Sequence, residues 1–147
     1  MSIRRGLVRR DYDAAITPRN QSKRSIHAMR YMYLVKSASS GPPPQRLMEE
    51  IGKLAEREMK AGTVVDMGGL MPLAMGARVR LAGGKVDVID GPFAEAKEVI
   101  GGYAIFEFKS REEAIASAVE FMNLHKEYGE GWEGECEMRQ LAQSPPS

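Results

Sequence analysis

One cysteine, Cys136, and two histidines, His27 and His125, are all that this chain of 147 residues holds of either type. A single thiol cannot make an internal disulfide framework. So few cysteines and histidines also cannot build a multi-cysteine or multi-histidine metal site, so neither a metal nor a cofactor is expected. Long apolar runs are missing as well. Nothing approaches the roughly 20 residues needed to span a bilayer, and no signal-peptide core stands near the N-terminus. A thiol-poor chain with no membrane segment suits the cytoplasm. Net charge is nearly absent, at +1, but it conceals an asymmetry: residues 1–28 carry +5 and the remainder −4. An acidic body is a poor nucleic-acid surface, because that affinity comes from clustered Lys and Arg on phosphates. Only the basic tail could make such a contact.

What is present is ordinary globular composition, 43% hydrophobic and 28% charged, in a chain that fits one domain comfortably and two poorly. Residues 1–28 show no sustained period and read as a flexible basic extension. Residues 29–142 carry the pattern of a folded domain, and 143–147 read as a frayed tail.

Met29 to Lys36 is a strand by composition, with Tyr31, Tyr33 and Val35 on one face and Met32 and Leu34 on the other. After a proline-rich loop, Leu47, Ile51, Leu54, Ala55 and Met59 recur at helical spacing, and Gly62 stands where a helix ends. A second strand begins at Thr63 and is expected to break at Gly68-Gly69. Ala77–Ala82 and Lys85–Asp90 flank Gly83-Gly84, a two-residue hairpin loop that pairs 82 with 85, 80 with 87 and 78 with 89. In that register Val79, Leu81, Val86 and Val88 share one face, expected to be buried, and Arg80 meets Asp87 across the strands. Gly102 to Lys109 is a further strand, apolar on both faces. Ser110 with Glu113 forms a capping box for a second helix striped by Ile115, Ala118, Val119 and Met122. A glycine-rich loop with Trp132 leads to a last strand, Glu135 to Leu141.

This order implies an α+β fold of ferredoxin-like type: a two-layer sandwich, with an antiparallel sheet carrying two helices on one face. Two helices cover one face only, yet two strands are apolar on both. A second copy of the chain, sheet against sheet, is the simplest cover, so a homodimer is expected.

Chemistry is expected at Asp90-Gly91-Pro92-Phe93. Asp90 shares side-chain parity with Val86 and Val88. A carboxylate at the end of a buried face would have its charged form disfavoured, as suits a general acid or base. Gly91 and Pro92 shape the exit from the strand, and with Phe93 and Lys97 they are candidate ligand contacts. The competing reading makes the same residues a turn whose role is structural. His125 continues the stripe of the second helix and is a weaker catalytic candidate, since such a histidine often serves to pack or to cap a helix end.

Val86 to Glu98, followed by Gly101-Gly102-Tyr103, resembles the DGPF-motif branch of the YCII-related proteins. The likeness runs from Met29-Arg30-Tyr31-Met32 through Gly68-Gly69-Leu70-Met71-Pro72 to Glu135-Cys136-Glu137-Met138-Arg139. It implies a ferredoxin-like fold that dimerises through its sheets, the dimeric α/β-barrel arrangement. Many relatives have no assigned activity, some occur beside extracytoplasmic-function sigma factors, and related barrels include muconolactone-processing enzymes and cofactor-independent monooxygenases. The resemblance also implies a catalytic Asp and His pair. Asp90 matches the first; no histidine in the first helix matches the second, and Ala96 stands where the family commonly has Thr. Two functions are therefore expected to compete. One is a homodimeric, cofactor-independent small-molecule enzyme or binder, its pocket between helices and sheet near Asp90. The other is a non-catalytic accessory or regulatory homodimer in which the motif is structural.

Overall fold

In the computed structural model, residues 28–38, 41–93 and 98–143 are described. The basic extension, the frayed tail and Lys97 lie outside them, apart from Ala28 and Gln143. Among these residues six strands and two helices follow in the order β1 (Met29–Ser37), α1 (Gln45–Lys60), β2 (Val64–Gly69), β3 (Ala77–Ala82), β4 (Lys85–Asp90), β5 (Val99–Phe108), α2 (Arg111–Tyr128) and β6 (Gly134–Gln140), with a 3-10 turn at Leu73–Met75. No helix among the described residues is long and apolar enough to cross a membrane.

Four strands form one antiparallel sheet in the order β2-β5-β1-β6. With α1 between β1 and β2, and α2 between β5 and β6, this is the split βαβ pattern of a ferredoxin-like sandwich. The β3–β4 hairpin is a separate two-stranded sheet inserted between β2 and β5. The core lies where Tyr31, Tyr33, Ala104 and Phe108 meet Ala114 of α2. The Tyr33 hydroxyl donates to the Ala114 carbonyl at 2.7 Å, tying sheet to helix through a buried polar group. Arg57 joins the two helices, reaching Glu58 at 3.0 Å and Glu120 at 2.6 Å.

Local chemistry accounts for the element ends. Ser110 accepts from the Glu113 amide at 3.2 Å, opening α2 as expected. The Glu113 carboxylate, however, takes the Lys109 amide rather than completing the box on Ser110. The strand beginning near Thr63 does not break at Gly68-Gly69: β2 runs through both, paired with Tyr103 and Gly102 of β5. The missing side chain at Gly68 makes room for the Tyr103 ring, which a Cβ there would crowd at 3.1 Å.

Burial departs from the apolar pattern in two places. On α1 the inward position belongs to Glu58, 1% exposed, while Met59 is 57% exposed. Glu58 stands four residues beyond Leu54 and seven beyond Ile51, so helix geometry carries it inward, and its carboxylate takes hydrogen bonds from Thr63 and Arg57. The hairpin has the expected register, Ala77↔Asp90 through Ala82↔Lys85, with positive φ at both Gly83 and Gly84. Its apolar face is not buried. Val79, Leu81, Val86 and Val88 are between 62% and 71% exposed, because the hairpin projects from the sandwich instead of joining its sheet.

Candidate functional site

The expected motif sits at the root of that projecting hairpin. Asp90 is exposed, so the apolar surroundings expected to desolvate its carboxylate are not there. Among the described residues no hydrogen bond or ion pair reaches that carboxylate. Gly91 is the tight point. Its amide donates to the Gly76 carbonyl at 2.8 Å, and a Cβ here would be driven into the Leu73 carbonyl oxygen. Only glycine lets the chain cross the 3-10 turn so closely. The Gly91–Pro92 peptide is cis. Phe93 lies under the Arg78 guanidinium, 4.0 Å from cation to ring centroid, beside a shallow depression bordered by Leu70, Met71 and Ile100. Asp90, Gly91 and Pro92 border neither this depression nor the cavity described next.

That cavity, of about 620 Å³, opens between the helices and the sheet. Its position relative to the two layers is the expected one; its distance from Asp90 is not. The walls come from Leu47, Met48, Ile51 and Leu54 of α1, Tyr33, Met67 and Phe106 of the sheet, and Ser117, Phe121 and His125 of α2, with Trp132 from the loop after α2. The size falls within the roughly 300–1,000 Å³ of small-molecule sites, and an apolar wall with a few polar groups is their usual character.

His125, the weaker candidate, is the residue this cavity takes in. It is 6% exposed, its ring 4.6 Å from Phe121 edge-on and 4.4 Å from Trp132. Nδ1 lies 3.0 Å from the Phe121 carbonyl oxygen. A carbonyl only accepts, so Nδ1 carries the proton and donates; Nε2 of the neutral ring is then an acceptor. Burial pushes the His125 pKa down from its usual value, partly offset by the Phe121 carbonyl, which keeps the ring neutral near pH 7.

Trp132 was legible only as a loop residue. Its place is made by glycine: a Cβ on Gly134 would collide with the indole and with the Lys36 carbonyl. The Gly-Trp-x-Gly spacing from 131 to 134 was the available signal. Gly129 closes α2 by donating to the His125 carbonyl at 2.9 Å, which brings Trp132 back over the imidazole.

Other nucleophile chemistry fits badly. Ser117 is buried and lines the cavity, but eight residues of helix, about 12 Å of rise, separate it from His125. A nucleophile and its base need hydrogen-bond distance. Cys136 also lines the cavity, and burial pushes its thiol up to about 11, so it stays an unreactive thiol at neutral pH.

The sheet's outer face has its own character. Met32 and Leu34 of β1 lie beside Ile105 and Tyr103 of β5. Charges border them: Arg30 pairs with Glu107 at 3.3 Å, and Lys36 reaches Glu135 at 3.9 Å and Glu137 at 3.6 Å.

Residues 29–123 match the family model of the YCII-related domain. Over 95 residues the chain is 30% identical to an uncharacterised protein of Rhizobium meliloti (strain 1021), covering 65% of this chain and 77% of that protein.

Proposed function

The chain belongs to the YCII-related domain family, and on that premise we propose that it is a cytoplasmic, homodimeric small-molecule binder or cofactor-independent enzyme whose ligand enters the cavity between helices and sheet. The observation that carries this reading is the cavity itself: about 620 Å³, walled by apolar side chains, with the neutral His125 ring among them. A domain of this size has every hydrophobic reason to close such a space. Holding it open between two layers otherwise tied together by Tyr33, under two helices joined by Arg57, is what a binding site requires. Within this reading Asp90 belongs to the hairpin root, and any proton transfer in the cavity falls to His125.

Trp132 is the chain's one tryptophan and lies in the cavity wall, so its emission reports occupancy directly. Screening small apolar compounds against that emission should give saturable changes. Ala118→Phe, which fills the space, should abolish them; Asp90→Asn should leave them alone. A screen in which no compound alters Trp132, or in which Ala118→Phe binds as well as wild type, sinks the proposal.

The homodimer is supported by the outer sheet face, where an apolar centre of Met32, Leu34 and Ile105 has paired charges of both signs at its border. Such a surface is complementary to itself under a two-fold axis. A monomeric mass across micromolar concentrations would overturn it.

A second reading is favoured by Gly91. Its crossing of the Leu73–Met75 turn gives the Asp-Gly-Pro-Phe stretch a structural reason to exist without any catalysis. In that case the protein is a non-catalytic accessory or regulatory homodimer, and the screen above returns nothing.

A further inference from the structure

The cavity's polar groups restrict what can occupy it. Among the described residues its charged members are Glu58 and Glu130; no Lys or Arg lines it. A carboxylate or phosphate ligand would be buried there without a cation, which is costly. A cationic ligand would need an uncommitted carboxylate. Glu58 already receives Thr63 at one oxygen and Arg57 at the other, and Glu130 is exposed at the rim. A neutral ligand is left.

His125 sets its polar complement. No buried side-chain nitrogen or oxygen among the described residues lacks a partner, and the Phe121 carbonyl is the partner of the His125 ring. Nε2 is therefore not sealed in. It keeps accessible surface on a ring that is otherwise buried and borders the cavity. With Nδ1 committed as donor, Nε2 accepts only, so it selects a ligand that donates. The surroundings of that acceptor are aromatic: Phe121 meets the imidazole edge-on, and Trp132 lies tilted against it. Aromatic rings favour such offset and edge contacts with further rings. Phe106 adds another ring to the wall from the sheet.

We infer that the cavity selects a neutral aromatic molecule bearing a hydroxyl, of the phenol or naphthol class, held by its O–H donating to His125 Nε2 among Phe121, Trp132 and Phe106. This rests on the binding function proposed above and deepens it by naming the ligand class. Ser117, about 12 Å along α2 from His125, lies too far away to share that hydroxyl.

Three probes of matched shape test it on the full chain: 2-naphthol, 2-methoxynaphthalene and 2-naphthoate, each titrated against Trp132 emission. The expected order is naphthol tightest, by about 3- to 10-fold over the methoxy compound, the range of one hydrogen bond, and naphthoate weakest. In His125→Phe, which keeps the ring packing, the naphthol preference should fall to near unity while the methoxy compound still binds. The His125 Nε2 nitrogen shift in wild type should also move with naphthol and not with the methoxy compound, which gives an answer even if the variant fails to fold. Equal binding of naphthol and the methoxy compound, or naphthoate binding tightest, overturns the inference and leaves the cavity proposal standing. If none of the three binds up to its solubility, the inference falls, and the cavity proposal is decided by the wider screen against Trp132 emission.

Discussion

The sandwich and the β3–β4 hairpin carry the same kind of sequence and meet opposite fates. In β1 and β5 the alternating residues Tyr31, Tyr33, Ala104 and Phe108 are buried under two helices. In the hairpin Val79, Leu81, Val86 and Val88 alternate as cleanly and remain 62% to 71% exposed. The pattern that gives a strand its two faces is a property of the strand. Whether a face is covered depends on what the rest of the chain sends across it. Among the described residues both helices are spent on the four-stranded sheet, and none is left for the hairpin.

Stability should follow this division. Phe108→Ala removes a ring that is 4% exposed and should cost about 3–5 kcal/mol in chemical denaturation. Val88→Ala, at 68% exposure, should change stability by no more than about 0.5 kcal/mol. A core-sized loss at Val88 would break the comparison and mean that the hairpin face is covered in solution.

The two regions join at Gly91, and there the smallest possible change should have a clear effect. Gly91→Ala pushes a methyl group into the Leu73 carbonyl, and overpacking of that kind should destabilise by about 1–3 kcal/mol. Gly52→Ala on α1 meets open space and should instead stabilise by about 0.5–1 kcal/mol, the helix propensity difference. Thermal melts of the two variants should therefore move in opposite directions. If Gly91→Ala melts like wild type, the joint yields more readily than its contacts indicate.

The same division explains what could be read from residues alone. Register is local, so Gly83-Gly84 and the flanking valines determined the hairpin pairing, Arg80 opposite Asp87 included. The ferredoxin-like order was likewise legible, because each element announces itself by period and cap. Burial is not local. Asp90 was assigned an apolar environment by parity with Val88, and parity was right while the environment was wrong. Met59 shares the apolar helical spacing of α1, yet the helix turns Glu58 inward, where Arg57 and Thr63 hold it. His125 and Trp132 meet only because a loop closed by Gly129 and opened by Gly134 folds back on α2, a contact no spacing rule on either segment reveals.

That contact leaves a trace in the pH dependence of folding, smaller than the effects above. The folded His125 ring is held below its ordinary 6.5 by burial. Above that value the ring is neutral in folded and unfolded chains alike, and nothing is gained or lost. As pH falls below it the unfolded chain takes up a proton that the folded ring resists. Stability should thus decline from there down through the folded pKa and level off beneath it. Cys136, pushed up to about 11, stays protonated across this window and adds nothing. Exposed carboxylates contribute their own slope, so the informative quantity is a difference between proteins. His125→Phe should lose less stability than wild type between about pH 7 and about pH 5, because it has no ring to protonate. Parallel curves would mean that the imidazole is as open to water as the hairpin valines.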